Sequence, residues 1–277
     1  MRKIGVHLRI EKNLVALIKK ALELKVDFFQ CFLTQRTAGK ILTLHSDDIN
    51  EFVALRQVYF KDAYLHISYW VNLSSVIYNP HRLFKKEIAL AKRLAFTHVI
   101  IHPGSSKGAK DRIKGIDALA KMLNKFIKAE PELKFTIENV AQGPPSIGGN
   151  IEDLRLLLEK IDQPERLYFC IDTGHAYSHG YNLADIRYQE TFIDLVDKKI
   201  SWERVVLIHF NDTPEKLGSK IDKHVPLGEG KIGKTALKSF ILHPRLASIP
   251  VLIEPPLMSD QELKNEIKLV MDWCKNK

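Results

Sequence analysis

Long apolar runs are missing from this chain. Nowhere does it carry the roughly 18–20 consecutive apolar residues that a bilayer span requires, and the opening Met1-Arg2-Lys3-Ile4-Gly5-Val6 lacks the extended apolar core of a secretory signal. Neither a helical membrane anchor nor a secretory leader is expected, and a cytoplasmic protein is. Cysteine is scarce. Cys31, Cys170 and Cys274 are odd in number, widely spaced and without a Cys-x-x-Cys pair, which excludes a disulfide framework and a thiolate zinc site. Cys31 and Cys170 stand inside apolar runs and read as small core residues. Low-complexity segments and linkers are also lacking, so the 277 residues read as one domain, 1–277, with one large core.

Acidic residues are fewer than basic ones: 33 Asp and Glu against 42 Lys and Arg leave a net charge of +9. Such a surplus suits a polyanionic partner, because each phosphate neutralised releases counterions. The charge is spread in short runs, Lys19-Lys20, Lys85-Lys86, Lys198-Lys199 and Lys216 to Lys223, which equally describe solvated helix faces and loops.

What the chain does have is alternation. Strand-like runs at Ile4 to Leu8, Asp27 to Leu33, Ala63 to Ile67, His98 to His102, Leu133 to Glu138, Leu167 to Asp172, Arg204 to Phe210 and Pro250 to Glu254 are each followed by a segment of helical length or periodicity. Apolar stripes such as Leu14-Val15-Leu17-Ile18-Ala21-Leu22 and Ile116-Leu119-Met122-Leu123-Phe126 mark the helices. Eight strand-helix repeats in a chain of this size predict an α/β fold, a closed (β/α)8 TIM barrel rather than an open doubly wound sheet.

The strand ends carry the chemistry. The run from Leu167 stops at Asp172 and presents His175 one turn later; taken alone this is as compatible with a helix N-cap as with a metal site. The ending recurs, however, with His66, His102, Glu138, His209 and Glu254 closing the third, fourth, fifth, seventh and eighth runs. In a barrel these ends share the one face on which active sites are built. Asp222-Lys223-His224, between the last two strands, adds a carboxylate and an imidazole that an extended loop would point to one side. Five histidines and four carboxylates exceed what one tetrahedral ion can use. Nitrogen and oxygen donors without thiolates suit Zn²⁺, with Mn²⁺ or Fe²⁺ less specifically. Two or three ions bridged by a carboxylate would absorb all nine, an arrangement suited to phosphodiester hydrolysis.

Several segments resemble the signatures of the endonuclease IV family of apurinic/apyrimidinic endonucleases. They are Ile101-His102-Pro103-Gly104-Ser105, Ile137-Glu138-Asn139, Cys170 to His175, Ile208-His209-Phe210-Asn211-Asp212 and Leu227-Gly228-Glu229-Gly230. The match runs from the first strand to the last. It implies incision 5′ to abasic sites in double-stranded DNA, leaving a 3′-hydroxyl, with trimming of 3′-blocked ends, by a monomer with three Zn²⁺ and Mn²⁺ substituting in part. It implies one ion on His66, His102 and Glu138, a second on Glu138, Asp172, His209 and Glu254, and a third on His175, Asp222 and His224. Glu138 becomes the bridging ligand beside the nucleophilic hydroxide. Arg36 would enter the base stack, and Tyr69 and Trp70 would form a wedge.

The chain departs from the family pattern at Leu8-Arg9-Ile10-Glu11-Lys12, bulky and charged where a small Ser- and Gly-rich loop is usual, and at Trp70, larger than the usual aliphatic residue. His7 would orient a metal ligand from behind or contact phosphate. His45, His81, His98, His179 and His243 read as surface or helix histidines. A metal-dependent sugar isomerase or epimerase of the xylose-isomerase-like barrel type is the rival reading, but it needs about four ligands and has no use for His175, Asp222 and His224. A DNA-damage binding protein without activity is the third.

Overall fold

The structure, a computed structural model, describes residues 2–35, 39–77, 81–107 and 111–275. Its strands are β1 (Ile4–His7), β2 (Phe28–Cys31), β3 (Ala63–His66), β4 (His98–Ile101), β5 (Lys134–Glu138), β6 (Leu167–Asp172), β7 (Val205–His209) and β8 (Val251–Ile253). Each pairs in parallel with its sequence neighbours, and β8 closes onto β1. This is the TIM barrel that the alternation predicts, in a single domain. None of the helices among the described residues is long and apolar enough to cross a membrane.

The helices are α1 (Leu14–Glu23), α2 (Ser46–Tyr59), α3 (His81–Arg93), α4 (Arg112–Ala129), α5 (Ile151–Leu158), α6 (Thr173–His179), α7 (Ile186–Ile200), α8 (Lys234–Ile241) and α9 (Asp260–Lys275). One more than the eightfold repeat requires, α6 arises because Asp172 caps a helix at the very end of its strand, accepting the His175 N–H at 2.7 Å. Gly180, at φ +129°, ends it within two turns. The strands are shorter than the apolar runs. β4 stops at Ile101 and β8 at Ile253, leaving His102 and Glu254 one residue beyond. Prolines at 103, 255 and 256 have no N–H with which to extend the ladder.

Period-two alternation sets what faces the barrel axis. Phe28, Tyr64, Ile100, Cys170, Leu207 and Leu252 pack together as a separate apolar cluster inside the ring. At Gly5 an added Cβ would lie 2.4 Å from the Phe28 ring, so only glycine fits on the first strand at that level. Two residues further along the strands stand His7, Gln30, His66, His102, Asp172, His209 and Glu254. The same spacing that buries an apolar floor therefore lifts a polar residue to the mouth, and the floor bars water from beneath it.

His98 departs from its expected surface position. It opens β4 and is 2 % exposed, its ring stacked 4.3 Å from that of Tyr64 and its Nδ1 2.8 Å from Thr97 Oγ1. Burial, reinforced by the charge of Lys134, pushes its pKa down to about 3. The unfolded chain, with a histidine near ~6.5, binds a proton that the native state refuses. Stability is therefore lost as pH falls from ~6.5 towards ~3, by up to about 1.4 kcal/mol per unit. His98→Gln is expected to flatten that stretch of the urea-midpoint profile against pH. An unchanged slope would contradict a neutral buried imidazole.

Candidate metal centre

All nine side chains that close the strands or the Asp222–His224 loop converge on the barrel mouth. Glu138, fully buried at the end of β5, lies at the centre. Its Oε2 is 3.2 Å from both His66 Nε2 and His102 Nε2, and its Oε1 is 3.0 Å from His209 Nδ1 and 3.3 Å from His175 Nδ1. His209 Nδ1 is also 3.3 Å from Glu254 Oε2. Across the mouth, Asp222 Oδ1 is 3.1 Å from His175 Nε2, while His224 Nε2 is 3.7 Å from Asp172 Oδ2 and 3.8 Å from Asp222 Oδ1. A tetrahedral ion with bonds of ~2.0–2.1 Å spaces its ligand atoms ~3.3 Å apart, and the observed separations match that spacing.

The donors fall into three groups whose ligand atoms lie within 4.8 Å of one another: His66, His102 and Glu138; Glu138, Asp172, His209 and Glu254; and Asp172, His175 and His224. The first two correspond to the sets that the resemblance implies. The third differs, because Asp172 rather than Asp222 completes the group with His175 and His224. Asp222 stands against the same two imidazoles from the loop side.

Each of three histidines has its outward nitrogen engaged. His66 Nδ1 lies 2.9 Å from the Ile67 carbonyl and His175 Nδ1 2.9 Å from the Asn139 carbonyl. A carbonyl can only accept, so each imidazole donates there from Nδ1, which fixes the ring with Nε2 turned to the mouth. His209 is held the other way round. Its Nε2 donates to Gln30 Oε1 at 3.0 Å, leaving Nδ1 to face Glu138 and Glu254.

The charges are arranged for cations. Burial alone would raise the Glu138 carboxyl, but the opposing charges of His209 and His102 hold it well below the usual carboxylate range. Glu254 is lowered in the same way, chiefly by His209 against its own burial. Burial alone would lower His175 and His209, yet Asp172 and Asp222 draw the first, and Cys170, Glu138 and Glu254 the second, well above the ordinary imidazole value. Protons here stand where divalent cations would. The buried Nε2 atoms of His175 and His224 make no hydrogen bond, since Asp222, though close, lies outside hydrogen-bond geometry. A buried donor set with orphaned nitrogens is costly unless something binds it. The residues therefore fit divalent ions with nitrogen and oxygen preference.

Tyr69 and Trp70 form an exposed rim, 54 % and 56 % accessible. The Tyr69 ring leans 5.2 Å from His102, 5.7 Å from His66 and 5.4 Å from Phe32. Trp70 covers Gly39, where an added Cβ would approach its ring to 2.7 Å. Beneath them Glu87 of α3, fully buried, accepts the Ser68 N–H at 3.2 Å, and burial raises its pKa to about 8. His7 meets Gln30 Nε2 at 2.9 Å and lies 3.6 Å from Glu254 Oε1, behind the ligands rather than over the mouth. Arg36 lies outside the described residues.

Sequence reasoning missed the amides that hold the carboxylates. Gln30 Nε2 donates to Glu254 Oε1 at 2.7 Å. Asn211 Nδ2 donates to Asp172 Oδ2 at 2.6 Å and to Glu254 Oε2 at 3.1 Å, while its Oδ1 accepts the Glu254 N–H at 3.0 Å. Asn139 spans the ends of β5 and β6 through both the N–H and the carbonyl of Asp172, at 2.7 and 3.2 Å. A signal existed for two of them: Asn139 directly follows Glu138, and Asn211 follows His209 by two residues.

Comparison with known proteins places these features. Residues 18–277 match the family model described as a xylose isomerase-like TIM barrel. The chain is 32 % identical over 280 residues to a probable endonuclease 4 of Thermosipho melanesiensis, with 98 % of both chains covered. The crystal structure of endonuclease IV from Thermus thermophilus superposes with a TM-score of 0.82 at 29 % identity, covering 99 % of this chain and 100 % of that one. A D-tagatose 3-epimerase-like protein superposes at 0.70 with 18 % identity, covering 99 % and 97 %; that likeness is of fold alone.

Proposed function

The chain belongs to the endonuclease IV family of xylose isomerase-like TIM barrels, and from that premise we propose that it is a Zn²⁺-dependent DNA repair endonuclease. It cuts the phosphodiester 5′ to an abasic site in duplex DNA, leaves a 3′-hydroxyl and trims 3′-blocked ends, with residues 1–277 acting as one monomeric domain. The observation that carries this reading is the convergence of nine nitrogen and oxygen donors, eight of them in three groups that share Glu138 and Asp172 and the ninth, Asp222, 3.1 Å from His175 Nε2, beneath an exposed aromatic rim. A sugar isomerase would leave His175, Asp222 and His224 without a task.

His66, His102 and Glu138 would hold one ion, and Glu138, His209, Asp172 and Glu254 a second. His175 and His224, with Asp222 and the neighbouring Asp172, would hold the third. Bound ions supply Lewis acidity at the phosphoryl group, a water of lowered pKa and charge neutralisation at the leaving oxygen. The protein's own part is to fix the donors, keep the floor dry and orient the substrate. Tyr69 and Trp70, with Arg36, enter the stack where unstacking is cheapest, at a nucleotide without a base. Exposed Arg9, Lys40, Lys107, Lys216 and Lys223 on the mouth loops meet the flanking phosphates.

The test is incubation of purified protein with a duplex carrying one synthetic abasic site, with and without chelator. Incision on the 5′ side that EDTA slows is expected; intact DNA together with turnover of a ketose would transfer the assignment to the isomerase reading. Five phosphate contacts predict a slope of log K against log salt near about −4.5, a loss of several-hundred-fold in affinity between ~50 and ~200 mM. A flat response in fluorescence anisotropy would remove the DNA interpretation of the basic loops.

A further inference from the structure

The connection between β7 and α8, residues 210–233, has no helix or strand of its own, yet it must deliver Asp222 and His224 to a cage whose other members stand at or beside strand ends. Asp212 opens it. The Asp212 side chain is fully buried, and among the described residues no Lys, Arg or His lies within ion-pair distance of it. Five backbone N–H groups surround its carboxylate instead. Thr213 and Ile232 donate to Oδ1 at 2.8 and 3.1 Å, and Gly228, Gly230 and Gly233 donate to Oδ2 at 3.1, 3.1 and 3.2 Å. Two backbone bonds brace the same closure, Val225 N–H to the Asp212 carbonyl at 3.1 Å and Lys231 N–H to the Thr213 carbonyl at 2.7 Å.

We propose that Asp212 is the positioning residue of the third ion: its carboxylate clasps both ends of this loop and so sets Asp222 and His224 against His175. The inference rests on the three-ion reading. Asp212 touches none of the nine donors, so it acts only through the loop. Its main chain bridges Val225, the residue next to His224. Only a carboxylate suits the place, because its two oxygens accept on all sides, whereas an amide would aim a donor at two or three N–H groups. The loop is cut to match. An added Cβ on Gly230 would lie 2.3 Å from Asp212 Oδ1, and Gly228 and Gly233 take φ +89° and +79° to turn their N–H groups inward. The barrel ladder contains none of these bonds, so loss of the clasp frees the loop while leaving the sheet intact.

The experiment compares wild type, Asp212→Asn, Gly230→Ala and Asp222→Ala as full-length chains, stripped of metal, reloaded with Zn²⁺ and dialysed. Wild type is expected to retain three ions per chain and each variant two, with near-normal barrel circular dichroism. In the metal-free proteins, amide exchange at residues 228–233 should quicken at least tenfold in Asp212→Asn and Gly230→Ala but not in Asp222→Ala. Retention of the third ion in both clasp variants, or unchanged exchange, overturns the proposal. So does loss of all ions together with barrel protection, which would make Asp212 a fold residue. If Asp212→Asn does not fold, Gly230→Ala decides. A wild type that holds fewer than three ions would sink the three-ion reading itself, and the exchange contrast would still judge the clasp.

Discussion

Glu138→Gln is expected to lower kcat/KM for abasic-site incision by about 10²–10⁴ and to strip two ions from the protein, the largest effect foreseen for any single change. The substitution keeps the shape but removes the carboxylate that the first two donor groups share, Oε2 towards His66 and His102 and Oε1 towards His209. An amide accepts at one end only and would press N–H against two imidazoles at the other. Bound metal is worth several kcal/mol of charge stabilisation at a phosphoryl group, which converts to the stated range at about 1.4 kcal/mol per tenfold. Metal analysis and incision kinetics on the same preparation provide the check. Activity within tenfold of wild type, with three ions retained, would mean that the bridge is not at Glu138.

The second large effect should come from a residue that touches no ion. Asn211→Leu is near in volume but removes the donor that ties Asp172 to Glu254 and the acceptor that holds the Glu254 N–H. A buried N–H is then left unpaired at a cost of ~1–3 kcal/mol, and two ligand carboxylates lose their common anchor. Losses of this kind cost about 10–100-fold in metal affinity or activity. Competition against a chromophoric chelator measures the affinity directly. Because Asn211 lies above the apolar floor, the variant should fold; weakened metal binding with normal circular dichroism is the expected pair of results. Unchanged chelator competition would show that Asp172 and Glu254 orient themselves.

The barrel and the face on which the polar side chains gather were legible because both follow from local periodicities. A strand of period two that ends in turn chemistry announces its own terminus, and His66, Glu138, Asp172 and His209 each stand at one. Gln30 escaped because the apolar run from Asp27 to Leu33 continues past the end of β2 at Cys31, hiding a mouth position inside what reads as a strand interior. The burial of His98 is hidden for a related reason. A histidine at a strand start looks solvated until the neighbouring strand places Tyr64 over it.

What the sequence determined by itself was therefore the order of elements, the face on which the polar residues gather and the donor chemistry, since these depend on spacing along one chain and on residue type. What only the tertiary structure decided was which atoms meet. The sharing of Asp172 between two groups, the amides of Gln30 and Asn211 behind the carboxylates, and the clasp of Asp212 on glycines up to 21 residues away all join separate strands or distant parts of one loop. Ring closure and register create those contacts, and no periodicity along the chain encodes them.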